Sequence, residues 1–392
     1  MSDPSLLPIP PDPQEPERQP ELWPAELVFL PEAAPEVQAT ASPDKARPAG
    51  PGFWESLAWM IGYILVQMIA AVVASAALAA VYLLAQFDQA DAARITNPTE
   101  LLRGIEPHLE QNLAAILGLT GLTTVIYAAM GVSLRLRRQQ GLRGLGWQLP
   151  SAGHLLLLVM GILPLSLMCT ELQRLAFEIF PGSEGALEEM FLPLAQSSLG
   201  QLWLAMAVAP ALGEELLFRG LIGTGLLARW GLFRGVIITS ILFGLLHLNP
   251  AQALGVIPIG IAMHLAYLAT RSIWAPILIH LLNNSFAALM LKYSNQIPLG
   301  KLLEGEEGLP LPLMTVSAAL LVAIALLLWQ TRVQWTRRDG STWGGWMSQG
   351  QESLHLPELV SSRQSPRPLL LACGAINSLG FAAVIWRLVA AH

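Results

Sequence analysis

Charge is what this sequence has least of. Only 13% of its 392 residues are Asp, Glu, Lys or Arg, while 53% are hydrophobic and mean hydropathy is +0.51. A soluble domain usually has about a quarter of its residues charged, so this chain lacks the polar surface that keeps a globule of its size in water. Uncharged apolar runs of about 20 residues recur instead, the length that crosses the hydrocarbon of a bilayer. The expected fold class is all-α: a polytopic helical membrane protein in contact with the lipid bilayer.

Other scarcities exclude further classes. The two cysteines, Cys169 and Cys373, both fall in apolar runs and read as small buried hydrophobes rather than a disulfide or metal pair. The net charge of −6 comes without any Lys/Arg stripe, so no nucleic-acid partner is expected. The N-terminus opens on Asp3, repeated prolines, Glu15, Glu17 and Glu21, not a basic flank before an apolar core, so no cleavable signal peptide is expected. No His-Glu-x-x-His helix, no Ser-His or Cys-His arrangement within the spans and no phosphate-cradling glycine loop occurs.

What is present divides the chain. Residues 1–52, rich in Pro, Glu and Ala, cannot bury enough apolar surface to offset chain entropy and read as a disordered cytoplasmic tail, a place for a protein partner. Spans are predicted at 57–85, 112–134, 153–178, 199–229, 232–248, 251–270, 273–292 and 310–330, within a core of 53–335. A polar linker follows over 336–367, and a ninth, weaker span with Asn377 and Arg387 is placed at 368–390 within the final segment 368–392. Arginines in short loops set the orientation. Arg135, Arg137, Arg138, Arg143, Arg229, Arg234, Arg271, Arg332, Arg337 and Arg338 share one side, which makes the N-terminal tail cytoplasmic. The opposite loops are acidic, with Asp88, Asp91, Glu100, Glu106, Glu110, Glu184, Glu188, Glu189, Glu304, Glu306 and Glu307.

Against that background, Gly213-Glu214-Glu215-Leu216-Leu217-Phe218-Arg219-Gly220 sets three charges inside an apolar helix. Each charge near the bilayer centre costs at least ~2.5–3.5 kcal/mol on insertion scales, so the cluster needs partners and marks a functional site. Glu215 and Arg219 are four apart and meet on one helix face as an ion pair. Glu214 is rotated by about 100° and has no cation at helical spacing, which leaves its carboxylate available for chemistry. Further polar groups follow in separate spans: His247, one turn after Phe243, then His280 and Asn284 on one face, with Asn283 read as interhelical glue. His264 has no polar companion at helical spacing and reads as buried structure, and Arg229 and Arg271 read as topology anchors.

One carboxylate, two or three imidazoles and an amide form a kit for splitting an amide bond. A Glu and a His hold and deprotonate a water, while a His and an Asn donate to the oxyanion of a tetrahedral intermediate, each donor being worth about 10²–10³ in rate. The same residues also suit Zn²⁺, with Glu214, His247 and His280 as ligands and an open position for water. A metal-free site is favoured, since hydrogen bonding accounts for Asn284 directly. A transporter is the less favoured reading, because no inverted repeat or pair of interrupted helices stands out.

At these residues the chain resembles the CPBP family, the type II CAAX prenyl endopeptidase-like and bacteriocin-processing proteins also called the Abi family. The family pattern Glu-Glu-x-x-x-Arg, Phe-x-x-x-His and His-x-x-x-Asn corresponds to Glu214, Glu215 and Arg219, Phe243 and His247, and His280 and Asn284, and Arg271-Ser272-Ile273-Trp274-Ala275-Pro276 is also similar. The resemblance spans residues 195–292. It implies an eight-helix intramembrane endopeptidase core, glutamate-dependent or metalloprotease, acting on a membrane-embedded or lipidated protein or peptide near the membrane surface. Within it, Glu214 and His247 activate water, His280 and Asn284 stabilise the oxyanion, and Glu215, Arg219 and Phe243 support the site. A non-catalytic membrane adaptor or bacteriocin-immunity-type protein on the same fold is the alternative. His264 stands where relatives carry small or aliphatic residues, and the tail and the C-terminal extension are additions to the family core.

Overall fold

The computed structural model describes residues 50–89, 98–138, 145–303, 308–336, 342–343, 360–362, 378–383 and 385–387. Their helices run α1 (Phe53–Gln89), α2 (Pro98–Gln111), α3 (Leu113–Arg138), α4 (Ala152–Ile179), α5 (Ser183–Phe191), α6 (Leu199–Leu202), α7 (Ala209–Glu215), α8 (Gly223–Leu245), α9 (Pro250–Thr270), α10 (Trp274–Tyr293), α11 (Pro298–Leu303) and α12 (Leu311–Gln330). Two π-helical turns, Trp203–Val208 and Leu216–Ile222, join α6 to α7 and α7 to α8. Among the described residues, seven helical stretches are long and apolar enough to cross a membrane, one of them the long run Leu199–Leu245. The fold is that of an all-α polytopic membrane protein.

The predicted spans at 199–229 and 232–248 both lie in that run, and Gly231 separates them. Its φ of 74° and ψ of 178° are not helical, so the chain turns there although the helical segments on either side abut. Positive φ is strained for any side-chain-bearing residue, which is why a glycine stands at the corner. Two helices in the acidic loops, α2 and α5, carry Glu100, Glu106, Glu110, Glu184, Glu188 and Glu189. They were not predicted, because their apolar faces are too short to register as spans.

Burial identifies the middle of the bundle. In α9, 61% of the most apolar window is buried, against 6% in α1, whose Ile61, Leu65, Ile69, Val72 and Val73 face outward as a lipid-compatible surface. Around α9 pack α4, α8, α10 and α12. Its N-terminus is built by Asn249, whose side chain accepts from the Gln252 N–H, with Pro250 in the first turn where no backbone donor is needed. Its C-terminus ends on Arg271 in the left-handed conformation, φ 53°. The main core cluster gathers Phe218, Phe243, Met263, Leu320 and Ile324 from α8, α9, α12 and the π turn after α7.

Past α12 the chain forms three short strands, β1 (Gln334–Thr336), β2 (Thr342–Trp343) and β3 (Val360–Ser362), in the antiparallel order β2-β1-β3. Part of the stretch read as a linker is therefore paired backbone, Trp335 opposite Trp343 and Ser361. Such strands are too short to leave a period-2 signal. The tail at 1–49 and Cys373 lie outside the described residues. Of the ninth predicted span, only a short apolar helix within Ser378–Arg387 is described.

Candidate active site

The site grows from irregularities in the run Leu199–Leu245. Pro210 has no N–H, so the Met206 carbonyl one turn earlier loses its usual helical donor. The ladder slips just before it, with the Ala209 N–H reaching back five residues to the Leu204 carbonyl. A second slip follows the paired glutamates, where the Gly223 N–H reaches the Phe218 carbonyl. Polar side chains from other helices take carbonyls in these slipped turns. Asn284 Nδ2 donates to Met206 O at 2.8 Å, and the Arg135 guanidinium donates to Gly220 O. The acidic pair thus sits on one regular turn between two loosened ones.

Glu215 and Arg219 form the predicted pair: Arg219 Nη1 donates to Glu215 Oε1 at 2.9 Å, with both side chains fully buried. Arg219 also donates through Nη2 to Gly260 O of α9 at 2.8 Å and lies 5.1 Å from the Phe243 ring centre. The same Glu215 oxygen meets His280 Nδ1 at 2.8 Å. A carboxylate paired with a guanidinium only accepts, so Nδ1 carries the proton and Nε2 is the ring's open position. Glu215 therefore orients His280 as well as balancing Arg219.

Open Nε2 faces Glu214, 4.0 Å from its Oε2, and that oxygen is buried with no hydrogen bond to the protein. The separation exceeds a hydrogen bond and matches two groups that share one water at about 2.8 Å from each. Glu214 has only 13% of its side chain exposed. Tyr63 of α1 reaches the same turn. A Cβ at Gly213 would lie 2.9 Å from the Tyr63 hydroxyl, so the phenol packs directly on the turn that bears the carboxylate. No spacing rule on one helix could have flagged Tyr63, because it reaches the site from a separate span.

Phe243 joins the two histidines. Its ring is edge-on to both His247, at 5.4 Å between centres, and His280, at 5.7 Å. His247, half-buried just past the end of α8, has Nδ1 3.2 Å from Phe243 O. A carbonyl cannot donate, so here too Nε2 is open. Among the described residues the histidine in ion-pair range of Glu214 is His280.

Asn284 and His280 share a face of α10, and the Asn284 amide is engaged with Met206 O. His264 is buried at 1% exposure with neither ring nitrogen hydrogen-bonded, and its ring packs on Gly223, where a Cβ would lie 2.7 Å from Cε1. Arg229 donates to Gly50 O, Pro51 O and Gly225 O, tying the start of α1 to α8. Burial pushes the Arg271 guanidinium down to about 10, with the Arg332 charge acting in the same direction and Tyr267 against it, so Arg271 stays cationic at neutral pH. Among the described residues no three His, Cys, Asp or Glu side chains gather as a metal-binding group. The set Glu214, His247 and His280 does not converge as zinc ligands do.

Residues 196–286 match the family described as Type II CAAX prenyl endopeptidase Rce1-like. The matched segment contains Glu214, Glu215, Arg219, Phe243, His247, His280 and Asn284. The chain is also similar to a Bacillus subtilis protein named "Putative membrane peptidase YdiL", 29% identical over 109 residues, which are 28% of this chain and 44% of that protein. The chain thus spans less than half the length of that relative. No solved structure matches.

Proposed function

We propose that this chain is an intramembrane endopeptidase in which Glu214 and His280 hold the attacking water. The observation that carries this reading is the asymmetry of two adjacent carboxylates. Glu215 holds Arg219 and His280 on its Oε1, while Glu214 has no cationic partner and its Oε2 is buried, without a hydrogen bond and 4.0 Å from the open nitrogen of His280. The Rce1-like segment supports a membrane protease at the level of family.

In the proposed reaction the water gives a proton to Glu214 as its oxygen attacks the peptide carbonyl carbon. Negative charge develops on the carbonyl oxygen, and the second Nδ2 hydrogen of Asn284 stabilises it. The C–N bond breaks as the leaving nitrogen takes from Glu214 the proton that the water gave up. The products are an amine and a carboxylate, the remaining proton of the water passing to the open Nε2 of His280. This gives His280 the place beside the water that resemblance gives to His247, because its Nε2 lies 4.0 Å from Glu214 Oε2. No cofactor enters the scheme. The proposed substrate is a membrane-embedded or lipidated protein or peptide, the class that the family's name points to, cut near the membrane surface.

The test uses the full chain in lipid nanodiscs with an internally quenched, farnesylated peptide and its unlipidated counterpart. Glu214→Gln is expected to lower kcat by at least about 10³-fold, the scale of losing a catalytic base, with an unchanged size-exclusion profile. Retained cleavage rejects the assignment. Activity that a chelator removes and Zn²⁺ restores would favour the metal version on Glu214, His247 and His280; activity indifferent to chelator fits the scheme above.

A further inference from the structure

Three polar residues in succession, Asn283, Asn284 and Ser285, interrupt the apolar sequence of α10. Ser285 is turned to the rim, donating to Leu281 O and accepting from the Trp203 indole N–H. The other two form part of a directed run of hydrogen bonds. Ser166 Oγ of α4 donates to Asn283 Oδ1 at 2.8 Å, Asn283 Nδ2 donates to Asn284 Oδ1 at 3.2 Å, and Asn284 Nδ2 donates to Met206 O at 2.8 Å. Every donor and acceptor in the run fits the chemistry of its group. The run ends on a carbonyl that Pro210 has deprived of its helical donor.

We infer that Ser166 and Asn283 are positioning residues that hold the Asn284 amide plane and leave one of its hydrogens aimed for donation to a reacting carbonyl. This rests on the hydrolytic reading of the site. Asn284 is held at both ends, its oxygen by Asn283 and its nitrogen by Met206 O, so the amide can neither rotate nor exchange its two faces. Each donation polarises the next group and strengthens the final N–H as a donor. Preorganised donors stabilise developing charge because no rearrangement accompanies the reaction. Ser166, at 4% exposure, has no water to replace its partner, so the run's anchor is protected from competition. Simple glue between α4 and α10 would need only the Ser166–Asn283 bond; continuation through the neighbouring amide to the freed carbonyl is what glue leaves unexplained.

The experiment uses the full chain in nanodiscs with the farnesylated quenched peptide. Ser166→Ala and Asn283→Leu are expected to lower kcat roughly 10-fold, and Asn284→Ala roughly 100-fold, with KM within about twofold, since the loss is of transition-state stabilisation. Ser166→Thr, which keeps the hydroxyl, is expected to recover the rate. In the Asn284→Ala background, Ser166→Ala should cause no further fall, because its only route to the reaction is gone. A wild-type rate for Ser166→Ala, or a double variant that falls by the product of the single effects, overturns the inference while leaving Glu214 chemistry intact. If Glu214→Gln still cleaves, the hydrolytic reading fails instead. The side-chain amide ¹⁵N resonances of Asn284 report on positioning independently: they should shift in Ser166→Ala, and unmoved resonances overturn the inference whatever the activity.

Discussion

At the scale of the residue, adjacent glutamates are sorted by what touches them. Glu215 is enclosed by one guanidinium and one imidazole, and Arg219 has the further acceptor Gly260 O. Removing the cation leaves an uncompensated buried charge, which costs about 3–5 kcal/mol. Arg219→Met is therefore expected to lower unfolding stability by that amount, read from denaturant titration in mild detergent. Glu214 has no such bond to lose, so Glu214→Gln should stay within about 1 kcal/mol of wild type in the same assay. Equal losses in the two variants would contradict this division. His264 tests the converse case. Both ring nitrogens are buried without hydrogen bonds, and such orphaned groups cost about 1–3 kcal/mol each. His264→Leu should accordingly match or exceed wild-type stability, and a marked loss would reveal a polar role for the ring.

Helices show how much depends on where they depart from regularity. The two π-helical turns around α7 and the corner at Gly231 decide which faces of a 47-residue run point inward. A Cβ at Gly231 meets nothing within 4 Å, so Gly231→Ala tests backbone strain without steric clash. The expected cost is roughly 1–2 kcal/mol, the penalty for positive φ, measured as a shift in the thermal midpoint. Gly223 is the opposite case, since a side chain there would press on His264 and on the Phe218 carbonyl. Helical spacing made the Glu215–Arg219 pair legible in advance, because both residues lie on one helix and the four-residue interval dictates the contact. The His280–Glu215 bond joins residues 65 apart in the chain. No interval encodes it, nor the approach of His280 Nε2 to within 4.0 Å of Glu214.

For the whole molecule, the distribution of arginines predicts orientation in the bilayer. With Cys169 and Cys373 replaced by serine, single cysteines introduced as Ser42→Cys and Gln148→Cys should label from the cytoplasmic side. Glu184→Cys, on α5, should label from the other side. Labelling of all three from one side would reverse or break the assigned topology. The buried α9 and the lipid-facing α1 show the logic of such a bundle, in which apolar composition alone does not separate centre from rim.

Composition and run length by themselves determined that this chain is an all-α membrane protein, and helical spacing determined that one glutamate of the pair lacks a cationic partner. These are local properties, set by the cost of exposing or burying a residue and by the period of a helix. Only the tertiary structure decided that His280 stands 4.0 Å from Glu214, that Tyr63 packs on the turn bearing that carboxylate, and that Asn284 is held through Asn283 and Ser166. Such contacts form between faces brought together by packing and by slips in the helical ladder, and distance along the chain carries no record of them.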